Sequence, residues 1–114
     1  MKPPKDLIRL KHMRDAAEKA VQLVNGNTRK DLDNDEALGF AVIRLLEIIG
    51  EAARGTSEDI KRANPTIPWQ QMIGTRNHLI HGYFDIDYDI IWKILENDLP
   101  SLIQSLKKII LHSS

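Results

Sequence analysis

The chain has 114 residues, enough for one hydrophobic core and too few for two. Apolar residues make up 42% and charged residues 28%, an ordinary globular balance, and 16 Lys plus Arg are matched by 16 Asp plus Glu. That balance excludes a bulk polycation, so any nucleic-acid binding must use a local patch rather than long-range steering; with no cysteine, disulfides, thiol chemistry and Cys-ligated zinc are excluded as well.

The first ten residues mix Lys, Pro and Asp without the apolar run of a secretory signal, and no stretch approaches the roughly 20 apolar residues of a membrane span. A cytoplasmic protein with no membrane contact is expected. There is no internal repeat and no low-complexity segment, and the hydrophobic periodicity is helical nearly throughout. A first helix is predicted over residues 5–25, with Leu10, Met13, Ala17, Ala20, Val21 and Val24 on one stripe and Gly26 as its stop. A polar linker over 27–33 leads to a second helix over 34–54. Its broad apolar face runs from Leu38 to Ala53, and its opposite side carries Phe40 and Ile43 beside Arg44, Glu47, Gly50 and Glu51. A helix with such a second, mixed face packs on two partners, and a second subunit is one candidate.

Thr56, Ser57 and Asp59 predict a capped helical turn up to about Ala63, broken by Asn64-Pro65. Pro68 suits the first position of a third helix, which Gly82 ends after His81. A last helical segment over 87–111 is expected to divide at Asp98 and Pro100, with Asp98 capping its second piece. No strand signal is present. The expected architecture is all-α, a four- to five-helix antiparallel bundle forming one domain over residues 1–114.

The third helix departs from simple folding logic. Trp69, Met72, Ile73, Leu79 and Ile80 define its apolar stripe, and Arg76 lies near the middle of it. A guanidinium stays charged, and burying it unpaired costs several kcal/mol. Two readings are open: a structural ion pair with Glu47, Glu51 or Asp85, or a site that grips phosphate through the planar fork of donors. Asn77 and His81 are four residues apart on one face, where an amide can orient an imidazole for proton transfer; the plainer alternative is a surface His at a helix C-terminus. His78 points away from the stripe and reads as a bystander. A His78/His81 metal pair supported by Asp85, Asp87 and Asp89 matches no strong ligand spacing, so no metal is assigned. Trp69 and Trp92 read as core, and His12 and His112 as exposed and unremarkable. Tyr83 either closes the helix end or presents its phenol beside the cationic cleft.

The run Arg76-Asn77-His78-Leu79-Ile80-His81-Gly82-Tyr83 has the form R-x4-H-x-Y. It resembles the signature of the HEPN superfamily, and in particular the HepT-like toxins of HepT–MntA toxin–antitoxin modules. The stretches Ile48-Ile49-Gly50-Glu51-Ala52, Ile67-Pro68-Trp69, Ile73-Gly74-Thr75-Arg76-Asn77, His81-Gly82-Tyr83-Phe84 and Trp92 through Asp98-Leu99-Pro100 agree with that branch, so the resemblance spans roughly residues 36–103.

The resemblance implies a HEPN-like helical homodimer in which two copies of the motif face one another across a cleft. It further implies a metal-independent endoribonuclease toxin without cofactor, acting on RNA. Arg76 and His81 match the catalytic pair, Asn77 the polar residue that commonly follows the arginine, and Tyr83 the tyrosine that a cognate minimal nucleotidyltransferase antitoxin modifies with AMP. The chemistry suits these residues: His81 moves the proton of the RNA 2′-hydroxyl, and Arg76 holds the scissile phosphate. The alternative function is a non-catalytic HEPN module that binds a nucleotide or a partner.

Overall fold

The computed structural model describes residues 4–82 and 86–112; Tyr83, Phe84 and Asp85 lie outside the described residues. The described chain is helical without strands, as expected for an all-α HEPN-like fold. The elements are α1 (Pro4–Val24), α2 (Asp31–Asn34), α3 (Glu36–Gly55), α4 (Glu58–Ala63), α5 (Trp69–His81), α6 (Tyr88–Lys93), a π-helical turn (Ile94–Asp98) and α7 (Leu99–Leu111). Among these residues no helix is long and apolar enough to cross a membrane.

Helix α3 is the centre of the bundle. It packs on α1 and on α5, and α7 packs on α1. The core they share contains Leu10, Met13, Ala17 and Ala20 of α1, Val42, Leu46, Ile49 and Ala53 of α3, and Leu102, Leu106 and Ile109 of α7. The apolar stripes read from the sequence on α1 and α3 thus face inward. Trp69 is buried and donates its indole N–H to the Asn64 carbonyl at 3.0 Å, whereas Trp92 is partly buried against the core.

The structure refines the expected boundaries for local reasons. Gly26 turns the chain with φ +83°, the left-handed region open to glycine. The polar linker contains the short helix α2, and α3 begins at Glu36 because Asp35 caps it by accepting from the Leu38 N–H at 3.1 Å. Pro68 sits just before α5 rather than at its first helical position, with φ −80° and ψ 66°. The division expected at Asp98 and Pro100 does not occur: α6, the π-helical turn and α7 run on without leaving helical backbone angles, and Asp98 makes no capping hydrogen bond. Proline has no N–H to give to the preceding turn, and the widened π-helical turn just before it absorbs that loss without ending the helix.

Three tethers fix the ends. Asp6, 2% exposed, accepts from the Ser57 N–H at 2.9 Å and the Ser57 hydroxyl at 2.7 Å, tying the start of α1 to the cap of α4. Thr56 is buried and donates to the Ala52 carbonyl at 2.8 Å. Arg29 reaches from the α1–α2 connection to Asp89 at 2.6 Å and lies 5.9 Å from the Tyr88 ring centroid, fastening α6 to the bundle. The hydrogen bond that Arg29 donates to Asp89, partly opposed by desolvation and helped by Asp33, raises the Arg29 pKa.

Because a hydrogen bond to a charged group contributes about 1.5–3 kcal/mol, Asp6→Ala should lower the unfolding free energy by about 2–3 kcal/mol. Urea denaturation at neutral pH checks this; an unchanged midpoint would show that the α1–α4 tether is dispensable.

Candidate active site

Helices α3 and α5 cross where α3 has no side chain. A Cβ added at Gly50 would collide with Arg76 Cβ and would lie 2.6 Å from the Met72 carbonyl oxygen and 3.1 Å from Arg76 Cγ. The base of the Arg76 side chain therefore lies directly on the α3 backbone. The mixed face of α3 is resolved by the same crossing. Gly50 and Ile43 are buried, Phe40 and the Arg44 side chain are 61% and 64% exposed, and Glu51 is exposed. The second packing partner of α3 at Gly50 is thus α5 of the same chain, Ile43 is buried in the core, and the exposed stripe is Phe40, Arg44 and Glu51.

Arg76 is half-buried. Its Nη1 donates to the Asn77 side-chain oxygen at 2.9 Å, and its Nε is shielded from solvent without an acceptor. Among the described residues it has no ion pair. Glu47 interacts instead with Arg44 at 3.4 Å, and Glu51 does not reach Arg76; Asp85, the third candidate, lies outside the described residues. Other arginines with carboxylates nearby are paired, as in Arg14–Asp15, Arg29–Asp33 and Arg62–Asp59. A sheltered charged donor left without an acceptor costs the ~1–3 kcal/mol of an unmade hydrogen bond, so the guanidinium is held here without internal neutralisation.

Asn77 and His81 are exposed. The Asn77 oxygen is taken by Arg76, so the amide holds the guanidinium and not the His81 ring, to which no described hydrogen bond joins it. The His81 imidazole is free at the C-terminus of α5, where Gly82 N–H closes the last turn on the His78 carbonyl at 2.7 Å. Arg76 and His81 are five residues apart, about 140° around the helix and about 7.5 Å along it. They sit on one helix but do not share a face. The Tyr83 assignment lies outside the described residues.

His78 is exposed, as the sequence reading has it. His78 lines a groove of about 310 Å³ between α5 and α6, together with Gly74 on its own helix and Asp87 and Ile90 opposite. Positions 74, 78 and 81 recur at helical spacing, and that spacing was the sequence signal for this face. A second depression, of about 460 Å³, lies between α1 and α3 and carries Arg9, His12 and Arg44 with Glu51. Among the described residues no group of three or more His, Asp or Glu side chains is arranged to hold a metal ion.

Comparison with known proteins places this arrangement among related chains. A family model described as ribonuclease HepT-like matches residues 13–109, which include all of α5. A Thermococcus cleftensis protein, provisionally named ribonuclease HepT, is 42% identical over 102 residues, covering 86% of this chain and 92% of its own. A Caldanaerobacter subterraneus protein, provisionally named an RNase, is 34% identical over 110 residues, 96% of each chain. A Methanocaldococcus jannaschii protein with a similar provisional name is 47% identical over 78 residues, 64% of this chain and 72% of its own. No solved structure matches.

The Gly50 crossing has a measurable consequence. Replacing an interior helical glycine by alanine ordinarily gains up to about 1 kcal/mol of helix propensity. At Gly50 the atoms in the way are the Met72 carbonyl and Arg76 Cβ, close to a backbone that cannot swing aside. Gly50→Ala should therefore destabilise the protein by a net ~1–3 kcal/mol, the cost of overpacking, measured by thermal and urea unfolding.

Proposed function

The chain belongs to the ribonuclease HepT-like family of the HEPN superfamily, and we propose that it is a metal-independent endoribonuclease toxin acting as a homodimer of single helical domains. The observation that carries this reading is Arg76: a sheltered guanidinium, fixed by the α3–α5 crossing, steadied by a neutral amide and not by a carboxylate. The amino nitrogens of its fork, apart from the N–H given to Asn77, are the donors proposed to meet a scissile phosphate and stabilise charge developing on its oxygens.

In the proposed reaction the His81 imidazole takes the proton of an RNA 2′-hydroxyl. The 2′-oxygen attacks the adjacent phosphorus, the bond to the 5′-oxygen breaks, and that oxygen leaves with a proton from a general acid. The products are a 2′,3′-cyclic phosphate and a 5′-hydroxyl, and no metal is required to generate the nucleophile. His81 of a second copy supplies the acid. The dimer reading is supported by the exposed Phe40 and Arg44 stripe of α3 and by the divergence of Arg76 and His81 within one protomer.

A protein with no net charge needs a local surface to hold RNA, and the α1–α3 depression offers one through Arg9 and His12, with Arg44 at its border toward the stripe assigned to the second copy. Control by a cognate minimal nucleotidyltransferase antitoxin fits the same site. AMP added to Tyr83, two residues after His81, would place bulk and negative charge beside the cleft and repel substrate phosphate. The neutral net charge also favours a second reading, a non-catalytic module that binds a nucleotide or a partner at this site.

Cleavage of RNA in EDTA distinguishes the two. The nuclease reading expects activity without divalent cations, cyclic phosphate ends, a loss of about 10²–10⁴-fold in His81→Ala as for removal of a general acid–base, and a comparable loss in Arg76→Ala. Wild-type cleavage rates in His81→Ala would remove His81 from the mechanism. Nucleotide binding that is lost in Arg76→Ala, without cleavage of any RNA, would establish the binding module.

A further inference from the structure

The helix that carries Arg76 and His81 also carries a glycine that the packing of the chain does not require. Gly74 lies in the interior of α5, where glycine is, proline apart, the least favourable residue. A Cβ at Gly50 would collide with its neighbours, but a Cβ at Gly74 would meet nothing within 4 Å. The space that Gly74 leaves open is the α5–α6 groove of about 310 Å³, at the lower end of the ~300–1,000 Å³ range of small-molecule clefts.

Two kinds of surface meet in this groove. Leu79, Ile91 and Ile94 give it apolar walls, and Ile90, 56% exposed, stands at its edge. His78 and Asp87 supply polar groups. Asp87 accepts the Asp89 N–H with one oxygen at 2.9 Å, and among the described residues its other oxygen has no partner. No Arg or Lys lines the groove among the described residues, and a carboxylate does, so its chemistry disfavours phosphate. Aliphatic walls with an imidazole and a carboxylate beside them suit a neutral group with an apolar face and a hydrogen-bonding edge. Gly74, His78 and His81 follow one another at i, i+4 and i+7 along one face of α5, so the groove leads to the imidazole.

We propose that the α5–α6 groove receives a nucleobase of single-stranded RNA beside the phosphate to be cut, with Gly74 keeping it open and His78 and Asp87 reading the base edge. The inference rests on the ribonuclease reading of α5 and adds to it a base subsite that selects where cleavage occurs.

The test fills the groove without weakening the helix. Gly74→Leu places a side chain in the open space and raises helix propensity, so its melting temperature should be no lower than that of wild type. Wild type is titrated with the 3′-monophosphates of adenosine, guanosine, cytidine and uridine, and with ribose 5-phosphate as a baseless control, following backbone amide shifts. At least one nucleotide should shift Gly74, His78 and Ile91 saturably, the control should not, and Gly74→Leu should weaken binding by about tenfold or more, as expected when the site is filled by a side chain. In RNA cleavage Gly74→Leu should raise KM by about the same factor and flatten the base preference at cut sites. Cleavage by Gly74→Leu with wild-type KM and pattern would overturn the subsite and leave the nuclease reading standing. Base-dependent shifts at the groove without cleavage of any RNA would sink the nuclease reading and support the subsite. Loss of a dimer in Gly74→Leu by light scattering, with no nucleotide shifts in wild type, would identify the occupant as a second copy and overturn the proposal.

Discussion

The site depends on how closely α3 and α5 approach. Two helices with ordinary side chains at their contact keep their axes about 8–10 Å apart. At Gly50 that spacing is reduced until Arg76 Cβ and the Met72 carbonyl lie over bare α3 backbone. The first carbons of Arg76 are thereby immobilised, and the freedom a long side chain normally keeps is partly removed before any ligand arrives. Little conformational entropy is then left to lose when the guanidinium engages an anion, which is the physical meaning of a preorganised site.

Charge placement gives that constraint its use. The acids on α3 nearest Arg76 are engaged elsewhere or face solvent: Glu47 interacts with Arg44, and Glu51 borders the α1–α3 depression with Arg9 and His12. Asn77 occupies one donor of Arg76 without neutralising it. A carboxylate in the place of that amide would lock the guanidinium into an internal ion pair and compete with phosphate. The neutral amide orients the fork and keeps the charge. In a chain whose formal charges sum to zero, local choices of this kind decide where an anion can bind.

The fold was legible where periodicity carried it. Leu10, Met13, Ala17 and Ala20 on α1 and Val42, Leu46, Ile49 and Ala53 on α3 were readable as core from spacing alone, and Ser57, Gly26 and Gly82 marked helix ends. Two features were not. The run through Asp98 and Pro100 looked like a break because helix rules count the missing N–H of proline, whereas a widened turn absorbs it when Leu95 within the turn and Leu99 just after it are held in the core. The mixed face of α3 was readable as a face with a second packing partner, but Gly50 gives no hint in sequence that α5 of the same chain will cover it; that is a tertiary fact. At the site, Arg76 stood out because a permanent charge on an apolar stripe violates local patterning, but its pairing with Asn77 was hidden. The spacing that suggested an Asn77–His81 pair says which residues are near, not which acceptor a guanidinium will choose.

The divergence of Arg76 and His81 bears on the architecture of the proposed reaction. In-line cleavage of a phosphodiester needs one group at the attacking oxygen, one at the leaving oxygen and a cation between them. One α5 offers a cation anchored toward α3 and an imidazole about 140° away around the axis, so a single protomer cannot surround one phosphate from both sides. Two copies of α5 related by a two-fold axis can: each contributes an arginine and a histidine, and the imidazoles fall on opposite sides of a shared centre, one as base and the other as acid. A five-residue interval on one helix is poor geometry for a pair acting within a protomer and good geometry for a pair acting across a symmetric cleft. The exposed Phe40 and Arg44 on the adjoining stripe of α3 are the surface such a pairing would cover.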